Sequence, residues 1–198
     1  MKKYGELLFL TLFTLVGTVS SNCFAADSLD NKSQDVRVWT TFGFGFARWA
    51  SDPAITLGAS LNAKLANELL TARFLYNDVF QISIFGPPSH PDENVWDIGI
   101  LYGRIAKGRY GYASISGGLS LIRGVRYQSG YAYTPPYGYT YADIEDSFTG
   151  VGIPAEAQLF WTPTNFFGIG LYAFCDYGFS GKRSFGGVML SLQFGQLK

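Results

Sequence analysis

A single histidine limits the acid–base and nucleophilic chemistry that this chain can perform. His90 follows Ser89 directly, and Asp92 and Glu93 come shortly after it. A serine–histidine–carboxylate mechanism needs these groups joined by hydrogen bonds in space, and adjacency in sequence does not supply that geometry. Three prolines within residues 86–94 predict an exposed loop there. We therefore interpret Ser89 and His90 as loop residues and assign no catalytic residue.

Metal and disulfide chemistry would need more ligands than the sequence carries. Beside one histidine there are two cysteines, and the first of them, Cys23, falls in the signal peptide predicted below. Cys175 is then left without a partner for an internal disulfide. One histidine and one cysteine do not make a transition-metal site. We expect neither a metal nor a cofactor.

Charged residues at inward positions of predicted strands form a second candidate group. By strand parity, five of them point into the interior of a closed sheet. They are Arg37, Arg73, Asp97, Glu156 and Asp176. Buried charges must be paired, so we predict a salt-bridge and hydrogen-bond network that fills the interior. The alternative is a narrow polar path or a carboxylate pair for acid–base work, although the interior offers no histidine.

A tyrosine-rich stretch is the third candidate, and it concerns binding rather than catalysis. Six tyrosines are spread among Gly and Pro in a predicted long loop, residues 124–147. They are Tyr127, Tyr131, Tyr133, Tyr137, Tyr139 and Tyr141. Tyrosine gives broad amphipathic contact at low entropy cost, which is typical of recognition surfaces. A lid whose tyrosines pack on one another and on lipid head groups is the other interpretation, and the sequence leaves both open.

The first 35 residues are predicted to lie outside the folded domain, and residues 1–25 of them have the pattern of a targeting signal. Two lysines precede an apolar run over residues 7–19, and this run is shorter than the roughly 20 residues of a transmembrane helix. We predict a signal peptide at residues 1–25 and a flexible periplasmic lead-in at residues 26–35. Lipidation of Cys23 is the alternative, but Asn22 stands where lipoprotein cleavage sites carry glycine.

The composition is typical of a chain that faces lipid. Charged residues make up 15% of the sequence and aromatic residues 17%, with 24 glycines, whereas soluble domains carry about 25% charged residues. This combination is expected of a barrel whose outside meets hydrocarbon and whose ends carry aromatic belts. The formal net charge of zero argues against nucleic acid as a partner.

Two-residue alternation recurs from residue 36 to the end of the chain. The predicted strands are residues 36–50, 54–63, 69–85, 95–106, 110–123, 148–161, 166–179 and 185–194. This pattern predicts one all-β domain, residues 36–198, folded as an eight-stranded antiparallel transmembrane β-barrel with up-and-down topology. A soluble sandwich is the alternative, but its polar faces would carry Lys and Glu, whereas these carry Gly, Ser, Thr and Asn.

Local signals predict three departures from regular strands. Asp52-Pro53 predicts a tight turn, and disturbed parity near Asn77-Asp78 predicts either a bulge or the point at which the strand emerges at the rim of the barrel. Pro154 cannot donate to a ladder and predicts a bulge or a gap in pairing. Helix propensity over residues 63–70 is a local alternative to a turn between strands.

The lengths of the connections predict the orientation of the barrel. The two longest, residues 86–94 and 124–147, fall on one side, and short turns near Lys64, Lys107 and Thr162 fall on the other. Outer-membrane barrels have long outer loops and short periplasmic turns. We therefore expect the long connections outside the cell and both termini in the periplasm.

The end of the chain carries a family resemblance. Residues 187–194 alternate apolar residues and end in an aromatic, and so resemble the C-terminal assembly signal of outer-membrane barrels, although four further residues follow. The mature chain is similar to small eight-stranded barrels of the OmpA, OmpX and OmpW type, and residues 148–158 also resemble a segment of bacterial outer-membrane barrels. The resemblance implies a multi-pass protein of the Gram-negative outer membrane. Its implied partners are membrane lipid, lipopolysaccharide and the assembly machinery.

Three functions are compatible with this architecture. The first is a non-enzymatic integral protein for envelope structure or for recognition of an extracellular ligand through the tyrosine-rich loop. The second is a lipid A-modifying enzyme at the outer rim, centred on Ser89 and His90, which do not match the His-x-Ser pattern of such enzymes. The third is a conduit for small apolar molecules, against which the inward Arg73, Asp97 and Glu156 weigh. Architecture alone transfers none of these activities.

Overall fold

The computed structural model of the chain describes residues 36–49, 52–79, 93–134, 138–179 and 184–196. For residues 128–134 and 138–143 it describes the backbone alone. The predicted signal peptide and lead-in lie outside the described residues. Within these ranges no helix is long and apolar enough to cross a membrane.

Eight antiparallel strands close into a single barrel, in which every strand pairs with its neighbours in sequence and the last pairs with the first. They are β1 (Val36–Trp49), β2 (Asp52–Leu65), β3 (Glu68–Val79), β4 (Glu93–Lys107), β5 (Gly111–Thr134), β6 (Gly138–Trp161), β7 (Phe167–Gly178) and β8 (Phe185–Gly195). The predicted fold class, strand number and up-and-down topology are confirmed.

The two faces of the strands have opposite chemistry, as the alternation predicts. On β8, Val188 and Leu190 are 51% and 59% exposed on the outside, whereas Met189 and Ser191 are 2% and 0% exposed inside. The large exposed side chains of the other strands are also predominantly apolar. A soluble sandwich would place its charged side chains on that outer surface. The barrel is therefore built to stand in lipid, with its polar residues turned inward.

One of the three predicted irregularities is wrong, and the structure decides between the two alternatives for another. Asp52 and Pro53 do not form a turn but begin β2, opposite Trp49 and Arg48, because proline is tolerated among the first residues of a strand. No bulge forms near Asn77-Asp78, because β3 keeps one register with β2 and β4 through Asn77 to Val79. β3 ends at Val79, in agreement with a rim at this position. Inside the barrel, the side-chain oxygen of Asn77 accepts a 2.5 Å hydrogen bond from the Thr56 hydroxyl.

The irregularity predicted at Pro154 is confirmed as a gap in pairing. β5 and β6 pair at Gly117 and Ala155 and next at Ser120 and Gly152, in an unchanged register. Pro154 itself pairs with Asp176 on the other side, toward β7. The missing amide therefore interrupts one ladder without adding a residue to either strand.

The turn between β2 and β3 shows that residues 63–70 do not form the helix that was the local alternative. Both strands pair up to Leu65 and Glu68, which leaves a two-residue turn. Ala66 adopts a φ of 57° there, a left-handed conformation that tight turns use and that non-glycine residues seldom adopt. Closure of the hairpin decides the local structure, and the helix propensity of residues 63–70 does not prevail.

The predicted tyrosine-rich loop is instead a long β-hairpin. β5 and β6 are each 24 residues long, against 11 to 15 for the other strands, and they pair as far as Thr134 and Gly138. Their pairing with β4 and β7 ends at Val125 and Gly152. The loop prediction is wrong because tyrosine and threonine favour strands and pair across them, whereas Gly and Pro suggested irregular chain.

Candidate functional site

The interior of the barrel holds one guanidinium among three carboxylates. Arg73 lies on β3, Asp97 on β4, Glu156 on β6 and Asp176 on β7. All four side chains are fully buried. We call these four residues the central charge cluster. Strand parity placed each of them inward, and the barrel brings them together at one level.

Arg73 binds two of the carboxylates directly. Its Nη2 lies 3.0 Å from Asp97 Oδ1 and 3.2 Å from Asp97 Oδ2, and its Nε donates to Asp97 Oδ1 at 3.2 Å. The same Nη2 reaches Asp176 Oδ2 at 3.3 Å. That oxygen also accepts a 2.5 Å hydrogen bond from the Ser120 hydroxyl. Charge-assisted bonds of this kind are among the strongest in proteins, so Arg73 ties β3, β4 and β7 together.

Glu156 is held by neutral donors rather than by the guanidinium. Its Oε1 accepts hydrogen bonds from Ser116 Oγ at 2.8 Å and from Gln158 Nε2 at 2.9 Å. The hydroxyl of Tyr172 donates to its Oε2, and Arg73 Nη1 stands 3.9 Å from that same oxygen. Three side-chain donors thus solvate a carboxylate that has no access to water.

Arg37, the fifth residue of the predicted network, is not among the residues whose contacts with the central charge cluster are described above. It lies at the end of the barrel that carries the short turns, opposite Lys64 in the β1–β2 pairing. Arg73 stands opposite Ser60 on the same strand β2, four residues away from Lys64. Parity gives the face on which a residue lies, and it does not give the level at which residues of different strands meet.

Sequence reasoning assigned no role to the uncharged members of the network. Ser116, Ser120, Gln158 and Tyr172 each hydrogen bond to a carboxylate of the central charge cluster. All four stand at inward positions of the predicted strands, so the signal was present in the alternation. Their contacts across strands could not be derived without the register.

Apolar layers close the lumen on both sides of the cluster. The outer hydrophobic layer lies toward the long connections and includes Trp49, Leu75, Ile122 and Phe148. The inner hydrophobic layer lies toward the short turns. Its members are Trp39, Leu69, Ile105, Tyr112 and Phe160. An interior eight strands wide is filled by side chains, and these layers are that filling.

The centre of the barrel is suited to structure rather than to catalysis or ligand binding. The space beside Arg73 would admit about one water molecule, whereas ligand pockets measure roughly 300–1,000 Å³. Among the residues that the structure describes, no group of three or more His, Cys, Asp or Glu side chains is arranged to hold a metal ion. The carboxylates already accept hydrogen bonds from protein donors, and none faces a cavity that would admit a substrate.

A second polar group fastens the base of the long hairpin to the outer mouth. Arg126 on β5 lies 3.2 Å from Asp52 Oδ2 and 3.8 Å from Glu93 Oε2, and its guanidinium covers the ring of Trp49 at 5.7 Å. The amide of Tyr127 donates to Glu93 Oε1 at 2.8 Å. These contacts join β5 to the starts of β2 and β4, and so they orient the hairpin where it leaves the barrel.

The hairpin beyond Val125 carries the predicted tyrosines, and we call residues 126–134 and 138–146 the tyrosine hairpin. Its register sets Tyr131 opposite Tyr141 and Tyr133 opposite Tyr139. Tyr127, by contrast, stands at the base opposite Glu145. Tyr137 lies outside the described residues. Nine residues past Val125 extend a strand by about 30 Å.

The sequence-predicted catalytic candidates cannot be placed. Ser89 and His90 lie outside the described residues, and the interpretation of both as loop residues stays a prediction.

Replacing Glu156 by alanine should lower the stability of the barrel without opening it. Ser116, Gln158 and Tyr172 would each lose an acceptor, so we expect a loss of about 1–2 kcal/mol in the free energy of unfolding. Urea titration in detergent micelles measures this loss, and planar-bilayer recording measures ion conductance. Glu145→Ala, at an exposed position of the same strand, is the control and should change neither. Raised conductance with unchanged stability would contradict the role of Glu156 in filling the lumen.

Comparison with solved structures shows which known barrels this fold resembles. The chain matches no protein-family model and no curated protein. Neisserial surface protein A aligns with 80% of this chain and 96% of its own, at a TM-score of 0.57 and 11% identity. The N-terminal β-barrel domain of Pseudomonas aeruginosa OprF aligns with 82% of this chain and 98% of its own, at a TM-score of 0.51 and 15% identity. At this identity the likeness shows the fold, which is that of small eight-stranded outer-membrane barrels, as predicted.

Proposed function

We propose that this chain is a non-enzymatic integral protein of the Gram-negative outer membrane and that the tyrosine hairpin is its surface-recognition element. The observation that carries the proposal is the hairpin itself, which continues the β5–β6 pairing nine residues beyond the last β4 partner at Val125. A barrel needs no such extension to cross a bilayer, for which strands of about 9–11 residues suffice.

The filled lumen favours recognition over transport. The central charge cluster is fully buried, and hydrophobic layers lie on either side of it. A conduit for apolar molecules would need an apolar passage, and four buried charged groups oppose one. The proposal therefore assigns binding to the outer end and a structural role to the interior.

The composition and anchoring of the hairpin support a binding role. Paired strands present side chains in fixed order, and paired tyrosines supply broad contact with little loss of rotamer entropy. Arg126 holds the base of the hairpin against Asp52 and Glu93. A partner would then meet a preorganised surface, which lowers the entropic cost of association. The remaining partners in this proposal are membrane lipid and lipopolysaccharide around the barrel, and the assembly machinery at residues 187–194.

Removal of the hairpin tip tests the recognition role. We expect a chain in which an Asn-Gly turn replaces residues 128–144 to assemble normally, because Arg126 is retained and Tyr127 still pairs with Glu145 as in the native register. Purified protein in nanodiscs is applied to arrays of peptides and glycans, with the intact chain beside the truncated one. The intact chain should give discrete signals that the truncated chain loses. A control that replaces the four described cross-strand tyrosines by threonine keeps β-propensity and removes aromatic surface, so it should lose the same signals.

Two results would overturn the proposal. One is an array on which intact and truncated chains give identical signals. The other is a change in lipid A mass when cells with and without the gene are compared, because that change would show an enzymatic activity. Equal lipid A spectra together with signals that depend on the hairpin are the expected outcome.

A further inference from the structure

The outward surface of β4, β5 and β6 is apolar in its middle and carries a cation at its outer end. The large outward side chains of the middle are between 44% and 66% exposed. They are Ile98, Ile100, Leu119, Leu121, Val151 and Ile153. The next outward residue of β5 after Leu121 is Arg123, which is exposed, whereas its neighbour Ile122 is buried inside. A guanidinium therefore stands where the surface that faces hydrocarbon ends.

The guanidinium of Arg123 has no counter-ion in the part of the chain that the structure describes. It forms no hydrogen bond, ion pair or ring contact there, whereas Arg126, three residues further along β5, reaches both Asp52 and Glu93. A cation at the lipid boundary is tolerated where its long side chain can extend to the head groups. The compensating anion of Arg123 must then come from outside the protein.

An aromatic ring stands beside this arginine. Trp96 is opposite Arg123 in the β4–β5 pairing. It faces outward, because Val95 and Asp97 on either side of it are buried, and it is half-buried itself. Tryptophan is typical of the head-group level, where its ring packs on apolar groups while its N–H stays near water. We call Arg123 and Trp96 the rim pair.

The strand register places the rim pair at the outer edge of the membrane-spanning band. On the same surface Arg104 lies opposite Ile115, and Arg123 comes eight residues after Ile115 on β5. Eight residues extend a strand by roughly 26 Å, which a tilt of about 35–45° reduces to roughly 20 Å of height, close to the apolar band of about 25 Å in outer-membrane barrels. The two arginines therefore mark opposite edges of this band, and the rim pair is on the side of the tyrosine hairpin.

We infer that the rim pair binds the phosphorylated sugar of a glycolipid in the outer leaflet. The planar guanidinium can donate two parallel N–H bonds to a phosphate, and the indole offers an apolar face on which a sugar ring can pack. Lipid A has this head group, so the inference gives the lipopolysaccharide of the proposed function a site on the barrel. It rests on the proposed orientation, with the hairpin outside the cell, and it does not require that the hairpin recognise a partner.

Titration of the purified full-length barrel with lipid A, followed by native mass spectrometry from detergent, tests the inference. Diphosphorylated lipid A should bind at least about tenfold more tightly than lipid A without its phosphates, since bonds to the guanidinium are charge-assisted. Absence of saturable binding, or equal affinity for both forms, would overturn the phosphate contact. Equal affinity for phosphatidylglycerol would show attraction of any anionic lipid and would also overturn the site.

Variants with matched controls locate the site. Arg123→Gln should weaken the binding of lipid A by at least about tenfold, and Trp96→Leu should weaken it by at least about threefold. Arg104→Gln and Trp161→Leu make the same changes at exposed positions of the opposite edge and should leave affinity unchanged. Equal weakening by Arg104→Gln would contradict the inference. Gel mobility with and without heating confirms that each variant is folded.

The chain that lacks residues 128–144 distinguishes this inference from the role of the hairpin. It keeps the rim pair and should bind lipid A as tightly as the intact chain. Identical array signals from both chains together with retained lipid A binding would refute hairpin recognition alone. Array signals that depend on the hairpin, without lipid A binding by either chain, would refute the rim pair alone.

Discussion

Replacing Arg73 by methionine should lower the free energy of unfolding by about 3–5 kcal/mol, because the change leaves buried carboxylates without their cation. Methionine retains the length of the side chain, so the loss measures charge rather than volume. Asp97 would lose three contacts of 3.0 to 3.2 Å, and Asp176 would lose one of 3.3 Å. No other cation of the described residues forms an ion pair with either carboxylate in the structure.

Urea unfolding of the barrel in detergent micelles, followed by tryptophan fluorescence, measures the effect of Arg73→Met. Arg37→Met is the matched control, since that arginine lies at the barrel end and outside the central charge cluster, and we expect a change below about 1 kcal/mol. A second variant, Arg73→Met with Asp97→Leu, removes the main partner as well and should recover part of the loss. If Arg73→Met and Arg37→Met unfold alike, the cluster does not hold the strands together.

The fold could be predicted because every strand of a lipid-facing barrel alternates outward apolar residues with inward residues. On β8, the alternation of Val188, Met189 and Leu190 alone gives the outer and inner faces, and the exposures follow it. Closed β-barrels are the β-structures that satisfy every backbone group in hydrocarbon, so alternating strands admit few architectures. The Pro154 gap was predictable for the same reason, since a missing amide acts locally.

The long hairpin was missed because local and cross-strand signals disagree there. Gly130 and the prolines of residues 135–136 suggested irregular chain, whereas pairing of Tyr131 with Tyr141 is a property of two segments considered together. Strand pairing between distant residues outweighs the propensity of single residues. Only the register shows that the two tyrosine-rich segments pair with each other as neighbouring strands.

The sequence predicts which charged residues face the interior of the barrel, but it does not predict which of them contact one another. Parity placed Arg73, Asp97 and Arg37 inward alike, and it could not tell that Arg73 and Asp97 form an ion pair while Arg37 lies toward the end of the barrel. The level at which a residue lies depends on the stagger of the strands around the barrel, which the sequence does not express directly.

Replacing Gly152 by valine should lower the free energy of unfolding by about 3 kcal/mol, because it inserts a side chain where the central charge cluster leaves no space. A Cβ on Gly152 would overlap Asp176 Oδ1 and would lie 2.7 Å from Ile122 Cδ1 and 2.8 Å from Ser120 Oγ. The carboxylate of Asp176 would have to move away from the Ser120 hydroxyl, which now donates to it at 2.5 Å. The expected loss in the free energy of unfolding therefore has two contributions, overpacking and a lost buried hydrogen bond.

The matched control for Gly152→Val is Gly117→Val. A Cβ at Gly117 meets only the carbonyl oxygen of Pro154, at 3.4 Å, and the position faces outward at the gap in the β5–β6 ladder. Valine there contacts lipid and should change stability by less than about 0.5 kcal/mol. The same urea titration measures both variants. Equal losses would show that β-barrels of this size tolerate no added side chain at glycine, whereas a loss confined to Gly152→Val would show that Asp176 must keep its place beside Ser120 for the interior to hold.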